Sequence, residues 1–490
     1  MNSLASNDLL TWSEAKLSEL NCAEVLASGV IDRMHAELGG SHTVVTYPPL
    51  DGLTPVEQED ILSLVRPVSD LNLYLHIAFC EFLCPFCHYD TEHSKVGTGE
   101  SGRMRAYLLA LGRELDNWKA LLKGSTLRSL YIGGGTPTAV SEERLLALLE
   151  AVGSFPQDDN YLACVETSPL TAIAEDGRSK LHSLAKAGVG RFSIGVQSFN
   201  PHLLRRSRGH SQQEVIRAVE ILSDFDNVNI DLMQDLPGQK AEHIIEDLSY
   251  VERYRPAQVT WYIFRIRPEA AWFSRYSRSA LEVSDTLESA RKSLIIREGM
   301  RRMGYAPMPG GRFIREERFR DRFKDVRAGL GATLVGVGVS GYSHGWGHIF
   351  RNTYTRWGIN GIDSYIKRIE ASGFAIEEGL TVDEVERTAG AVVAGIRTGV
   401  ALPEATAANN SYVAYARELM SRLEAAGLVE GDARGRYSLT ELGSLFEEEV
   451  CMQFYSPLVK ARLRDVTASV RGNGSPSNIR SKSSRLQVIH

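Results

Sequence analysis

The chain has 490 residues, 43% hydrophobic and 24% charged, with a formal net charge of -6 and an isoelectric point near 6.1. It is too long for one ordinary core, so two or three domains are expected, and its acidic balance lacks the basic footprint of a nucleic-acid binder. No run approaches the roughly eighteen apolar residues of a membrane span and no signal-peptide pattern opens the chain, so a soluble cytoplasmic protein with no membrane partner is expected.

Residues 1–68 form a lead-in, with a helix-like LTWSEAKLSELNCAEVLASGVIDRMHAEL and then an extended TYPPLDG. From residue 71 strand-like and helix-like runs alternate. The strand candidates are LNLYLHIA, TLRSLYI, NYLACVE, RFSIGV, VNIDLM and QVTWYIF. Six such runs, most followed by an amphipathic stretch, predict repeated β/α units and a parallel sheet. Met104, Leu108, Leu111, Leu115, Trp118 and Leu122 recur at helical spacing in one of those stretches. Residues 284–303 look helical, and GLGATLVGVGVSGYS looks like strand and turn. Past residue 375 the pattern becomes helix, helix, short strand and helix, which predicts a winged-helix-like module over 375–465. The tail 466–490 is rich in Ser, Gly and Arg and is expected to be disordered.

The most informative run is FCEFLCPFCHYD, where Cys80, Cys84 and Cys87 stand in C-x3-C-x2-C spacing just after a strand. Three thiolates within eight residues are ligands for a soft iron centre. A four-iron cluster normally takes four thiolates, so three leave one iron open to a substrate or cofactor. On this run alone a structural zinc site closed by His88 or His76 is the alternative. Cys22, Cys164 and Cys451 are scattered among apolar neighbours, as buried reduced thiols are. A second run, YIGGGTPT (Tyr131 to Thr138), puts three glycines directly after a strand. There the backbone can approach a ligand closely.

Together these runs resemble the radical S-adenosylmethionine (SAM) superfamily, and more narrowly the oxygen-independent coproporphyrinogen III oxidase family and its relatives. YLHIAFC, GGGTPT, ETSP, RFSIGVQSFN and NIDLMQDLPGQ follow in the family's order over roughly residues 40 to 455. The resemblance implies an α/β fold: a partial six-unit (β/α) barrel over 69–374, with the N-terminal helical lead-in packed on it and the C-terminal domain covering the substrate. It implies a [4Fe–4S] cluster on Cys80, Cys84 and Cys87, two SAM molecules, and a flavodoxin- or ferredoxin-type electron donor. Tyr74, Gly134 and Glu166 match first-SAM contacts. Phe86, Gly135, Thr136, Gln197 and Asp231 match second-SAM contacts, and Arg208 falls one residue before the family's arginine.

The chain departs from the family pattern at three places. Tyr89 stands where the oxidases place a fourth cysteine, RFKDVRAGLGATLVG lacks the H-N-x-x-Y-W signature of the haem-chaperone relatives, and Asp235 replaces a glycine. On these departures the expected branch is the class C radical SAM methylases and cyclopropanases of natural-product pathways. Such an enzyme would move a SAM-derived methylene to an sp2 carbon of a small aromatic or heteroaromatic substrate, with a partner methyltransferase. Decarboxylation of a tetrapyrrole and haem binding without turnover are the alternatives. His344, Trp346, His348 and Tyr354 either line a flat aromatic substrate or form a packed aromatic cluster.

Overall fold

The computed structural model describes residues 6–37, 46–87, 89–94, 101–265, 284–328, 331–354 and 361–472. All six expected strands form: β1 (Leu71–Ile77), β2 (Leu127–Gly134), β3 (Gln157–Thr167), β4 (Val189–Gln197), β5 (Val228–Gln234) and β6 (Gln258–Ile263). They pair in sequence order, all parallel. A helix follows each, as a parallel crossover requires. After β1 comes α1 (Gly102–Leu121), whose start is capped by the Ser101 side chain accepting from the Met104 amide. Its stripe of Met104, Leu108, Leu111, Leu115 and Trp118 is buried. β1 is buried on nearly every position, because helices cover one face and the barrel interior the other.

The arc does not close. β6 continues into β7 (Arg312–Ile314), antiparallel to it. At the other end β8 (Thr333–Val337) lies parallel to β1, and β9 (Tyr342–Gly345), β10 (His348–Asn352) and β11 (Ile376–Thr381) follow antiparallel. All belong to one thirteen-stranded sheet, which thus runs past residue 374. α2 (Thr286–Arg302) packs on the helix after β5, and the short α3 (Arg322–Ala328) lies in the chain between β7 and β8.

Beyond β11 come helices Glu384–Gly395 and Asn410–Ala425, then an antiparallel hairpin of Val429–Gly431 and Arg436–Leu439. Val400–Ala401 adds a third strand, where the sequence suggested helix, helix, one short strand and helix. The final helix, Pro457–Gly472, continues past residue 466, where disorder was expected; residues 473–490 lie outside the described residues. The lead-in opens with three helices, Ser6–Glu19, Cys22–Ala27 and Val30–Glu37, broken where Asn21 and Gly29 turn left-handed, and a fourth, Gln58–Leu62, precedes β1. It packs less on the barrel strands than on α2 and the C-terminal module. Cys22, Ile31, Met34 and Tyr47 share a core with Val392, Met420, Val450 and Tyr455. The Tyr47 hydroxyl donates to Glu386 at 2.5 Å, and Ser456 donates to the other oxygen of that carboxylate at 2.6 Å.

One buried carboxylate ties the sheet's flank to its helices. Glu114, on α1, accepts from the Gly338 amide at 2.8 Å, Asn352 at 2.7 Å and the Tyr365 hydroxyl at 2.7 Å. Burial nevertheless pushes it from 4.5 up to about 7, with those donors opposing the shift. Between those two values the folded state holds a proton that the unfolded state has lost. This contribution to stability is therefore full below pH 4.5 and lost as pH rises through 7, a total of roughly 3 kcal/mol. Urea denaturation from pH 5 to pH 8 should show that decline in the wild type. Glu114→Gln, which cannot titrate, should lack this component of the slope.

Candidate functional site

The cysteines leave β1 at the C-terminal end of the barrel, where ligand sites of parallel sheets belong. The glycine loop after β2 is tied to the same segment. Gly135 N donates to Ile77 O at 2.6 Å and Thr136 N to Phe79 O at 2.7 Å. That approach needs glycine. A Cβ on Gly135 would stand 2.4 Å from Phe79 O, and one on Gly134, whose φ is 107°, would stand 2.7 Å from the His76 ring. The Thr136 side chain bonds the Cys80 thiol.

The three thiols act on one another. Burial, then Glu81 and the other two thiols, push the Cys80 thiol up, so its proton is released only when a cation takes its place. Around the triad, Glu81 Oε2, Arg208 Nε and both ring nitrogens of His210 are buried without partners. His210 meets the edge of Phe82 at 6.0 Å. Among the described residues no three His, Cys, Asp or Glu side chains converge on a single ion. A cubane's ligands each bind a different iron and surround a volume, so this donor set fits a cluster. His76 is engaged at both nitrogens, by the Tyr74 hydroxyl at 3.2 Å and by Asp90 O at 3.3 Å. His88 lies outside the described residues.

Deeper in the barrel, alternate residues of the strands face one lumen. Tyr74 and Tyr131 sit side by side across the β1–β2 pair, rings stacked at 6.2 Å. Glu166, on β3, accepts from the Tyr131 hydroxyl at 2.7 Å and the Gly134 amide at 3.3 Å. Burial raises this carboxyl above its ordinary range, with the Tyr131 hydroxyl opposing the shift. Asp231 accepts from Asn229 at 2.8 Å and Ser193 at 3.1 Å, and Lys324 approaches it to 4.0 Å. Gln197 is buried at φ 70°, beside Gly195. Left-handed backbone at a buried non-glycine residue is strained, and such strain clusters at ligand sites.

Tyr74, Gly134, Gly135, Thr136, Glu166, Gln197 and Asp231 therefore gather at one mouth and lumen. Phe86 packs to one side, against Leu203, Met233, Leu236 and Phe264. Arg208 lies on the cysteine loop, with Nη1 donating to Cys84 Sγ at 3.2 Å and Nη2 to Gly195 O at 3.0 Å. His344, Trp346, His348 and Tyr354 form packed contacts on the sheet's flank. Trp346 stacks on Trp118 at 6.4 Å, His348 bonds Trp346 O and Thr381, and Arg351 lies 3.4 Å over the Tyr354 ring. Burial of His344 holds its imidazole neutral, down to about 4.

Sequence reasoning missed α3 altogether. Phe323 stacks on Tyr131 at 4.8 Å and on Tyr74 at 6.0 Å. Lys324 bonds the Tyr262 hydroxyl at 3.2 Å. Arg327, three residues on from Lys324 and four from Phe323, shares their face of the helix. This segment stood in view as RFKDVR, and a Phe, Lys and Arg at helical spacing before a strand was the available signal.

A model of the radical SAM superfamily matches residues 74–251, the stretch holding every residue named for the cluster and SAM. The heme chaperone HemW of Haemophilus influenzae is 32% identical over 209 residues, 42% of this chain and 54% of that protein. The chain thus spans about half the length of that relative. The oxygen-independent coproporphyrinogen III oxidase of Paracoccus denitrificans is 30% identical over 322 residues, 61% of this chain and 68% of that one. The structure of coproporphyrinogen III oxidase from Escherichia coli superposes with a TM-score of 0.69 at 22% identity, covering 84% of this chain and 96% of that one.

These relatives overturn the expected methylase and cyclopropanase branch, and with it SAM-derived methyl transfer to an aromatic natural-product substrate: oxidases and heme chaperones are what the chain resembles. Two of the departures that suggested that branch have structural substitutes. Asp235 takes the left-handed backbone (φ 65°) that favours glycine, and Lys292 at 3.2 Å and Ser289 at 2.5 Å hold its carboxylate. α3 fills the segment where the haem-chaperone signature was sought. The family implies a [4Fe–4S] cluster and SAM, and the thiols and glycine loop fit both. By its aligned length and identity to the oxidase, the chain belongs to the radical SAM superfamily and, within it, to the family of oxygen-independent coproporphyrinogen III oxidases and HemW proteins.

Proposed function

We propose that this protein takes a tetrapyrrole into the barrel lumen and removes carboxyl carbon from it by radical chemistry, as an oxygen-independent coproporphyrinogen III oxidase does. The observation carrying this reading is the lumen itself. The stacked rings of Tyr74, Tyr131 and Phe323 give a flat apolar wall, and Lys324 and Arg327 lie beside it on α3. A flat, anionic ring system suits such a wall. The oxidase alignment, longer than those with the heme chaperones, supports the same choice.

In this reading Cys80, Cys84 and Cys87 hold the cluster. Tyr74, Gly134 and Glu166 hold a SAM molecule, with the Glu166 carboxylate oriented by the Tyr131 hydroxyl toward an ammonium or ribose hydroxyl. Phe86, Gly135, Thr136, Gln197, Arg208 and Asp231 are the proposed contacts of a second SAM. When bound, the cluster and SAM would supply a 5′-deoxyadenosyl radical for hydrogen abstraction. The protein's own part is to position the reactants and exclude water and oxygen. A flavodoxin- or ferredoxin-type protein is the proposed electron donor. Haem binding without turnover is the second reading, favoured by the similarity to HemW.

Three outcomes are expected. Anaerobically reconstituted protein should carry about four irons and four sulfides per chain. Cys80→Ala, Cys84→Ala or Cys87→Ala should lose them, and Cys22→Ala and Cys451→Ala should keep them; stoichiometric zinc without iron would sink the radical reading. With reductant, coproporphyrinogen III and SAM carrying a CD3 methyl, the reaction should release carbon dioxide and deuterium-free deoxyadenosine. Glu166→Ala should weaken SAM binding by roughly 5- to 150-fold. Tight haem binding without deoxyadenosine formation would select the second reading.

A further inference from the structure

Several buried cations in this protein are matched by acids: Arg191 pairs with Asp321 at 2.8 Å, Lys292 with Asp235 at 3.2 Å and Arg351 with Glu378 at 2.5 Å. Arg327, beside the lumen, is not. It makes no ion pair among the described residues, and its Nε is buried without a hydrogen-bond partner. The groups its charge acts on most strongly are phenols: Tyr342 first, then Tyr262, Tyr89 and Tyr131. The Tyr342 hydroxyl is itself buried and unpartnered. Two orphaned donors therefore stand on separate elements that meet at one set of rings, since Tyr342 packs with Tyr131 and with Phe323, one turn before Arg327 on α3. α3 brings the guanidinium and β9 the phenol.

Their place in the fold explains why both are free. Tyr262 lies on β6 and Tyr342 on β9, at the two ends of the open arc, and α3, which carries Arg327, lies in the chain between β7 and β8. Among the described residues no acid pairs with the guanidinium. A guanidinium whose Nε is buried without a partner costs free energy in the ligand-free protein. Its fork geometry suits the two oxygens of a carboxylate, and a neighbouring phenol adds a third donor. Lys324 does not compete for that role, because Tyr262 and Thr260 accept from it and Asp231 stands nearby.

We propose that Arg327 and Tyr342 form a carboxylate receptor in the open seam of the barrel, which anchors one acidic side chain of the substrate. This rests on the tetrapyrrole reading and deepens it: the ligand is a ring with ionised carboxylates, held by one of them against α3 while its flat face lies on Phe323 and Tyr131. The anchor sets which edge of the ring points to the cysteine mouth, so it governs orientation as well as affinity.

The test is anaerobic binding of coproporphyrinogen III and of its tetramethyl ester to the reconstituted protein and to Arg327→Met and Tyr342→Phe. Arg327→Met should weaken binding of the acid by roughly 10- to 150-fold, the loss of a charge-assisted contact. Tyr342→Phe should weaken it several-fold, and neither variant should change binding of the ester. Because Arg327 has no internal partner, its replacement by Met should leave the thermal midpoint unchanged or raise it. Unchanged affinity for the acid, equal loss for acid and ester, or a lowered midpoint would each overturn the receptor and leave the tetrapyrrole reading standing. If the wild type binds neither compound, the tetrapyrrole reading falls and the receptor falls with it.

Discussion

The parallel arc never closes on itself, and most of the protein's chemistry follows from that. A closed barrel of eight strands fills its own interior with side chains. Here β6 turns to β7 and β8 to β9, both antiparallel, so the two ends of the arc stay apart. The space left inside is polar, and it is satisfied piecemeal. Tyr131 covers Glu166, Ser193 and Asn229 cover Asp231, and Arg191 meets Asp321 at its floor. α3, arriving from outside the arc, contributes one aromatic ring and two cations. Without it the lumen would carry an excess of carboxylates and a bare tyrosine wall.

The β/α repeat was legible because its signals are local. Each strand is a β-branched or aromatic run with a polar or glycine-rich exit, and five of the six carry a motif residue within them or just past them: Cys80, Gly134, Glu166, Gln197, Asp231. Strand ends of a parallel sheet converge, so motifs far apart in the chain were bound to meet. The apolar spacing of α1 survived intact, down to Trp118. The lead-in was less legible, since nothing in its helical periodicity marks Asn21 as a left-handed break. α3 was the least legible element. A seven-residue helix has too few turns to show a period, and its three lumen residues acquire meaning only from Tyr74 and Tyr131, some two hundred positions away.

Asp235 shows why missing motif residues are weak guides to chemistry. The backbone there requires a positive φ, and glycine is the common solution. An aspartate can adopt the same conformation when its carboxylate is held, and the buried lysine of α2 holds it. The substitution changes how the turn is stabilised and leaves its shape. The branch inferred from such absences failed for that reason, while the motifs that were present led to the right superfamily and family.

The shared core of the lead-in and the C-terminal module has a consequence for how the protein is made. Ile31, Met34 and Tyr47 are synthesised well before the apolar surfaces that cover them at Val392, Met420, Val450 and Tyr455. The hydrogen bonds from Tyr47 and Ser456 converge on Glu386, which is also synthesised after Tyr47. That core cannot be completed until the barrel lying between them in the chain has been made, so the earlier helices stay partly uncovered, and open to chaperones, for that interval.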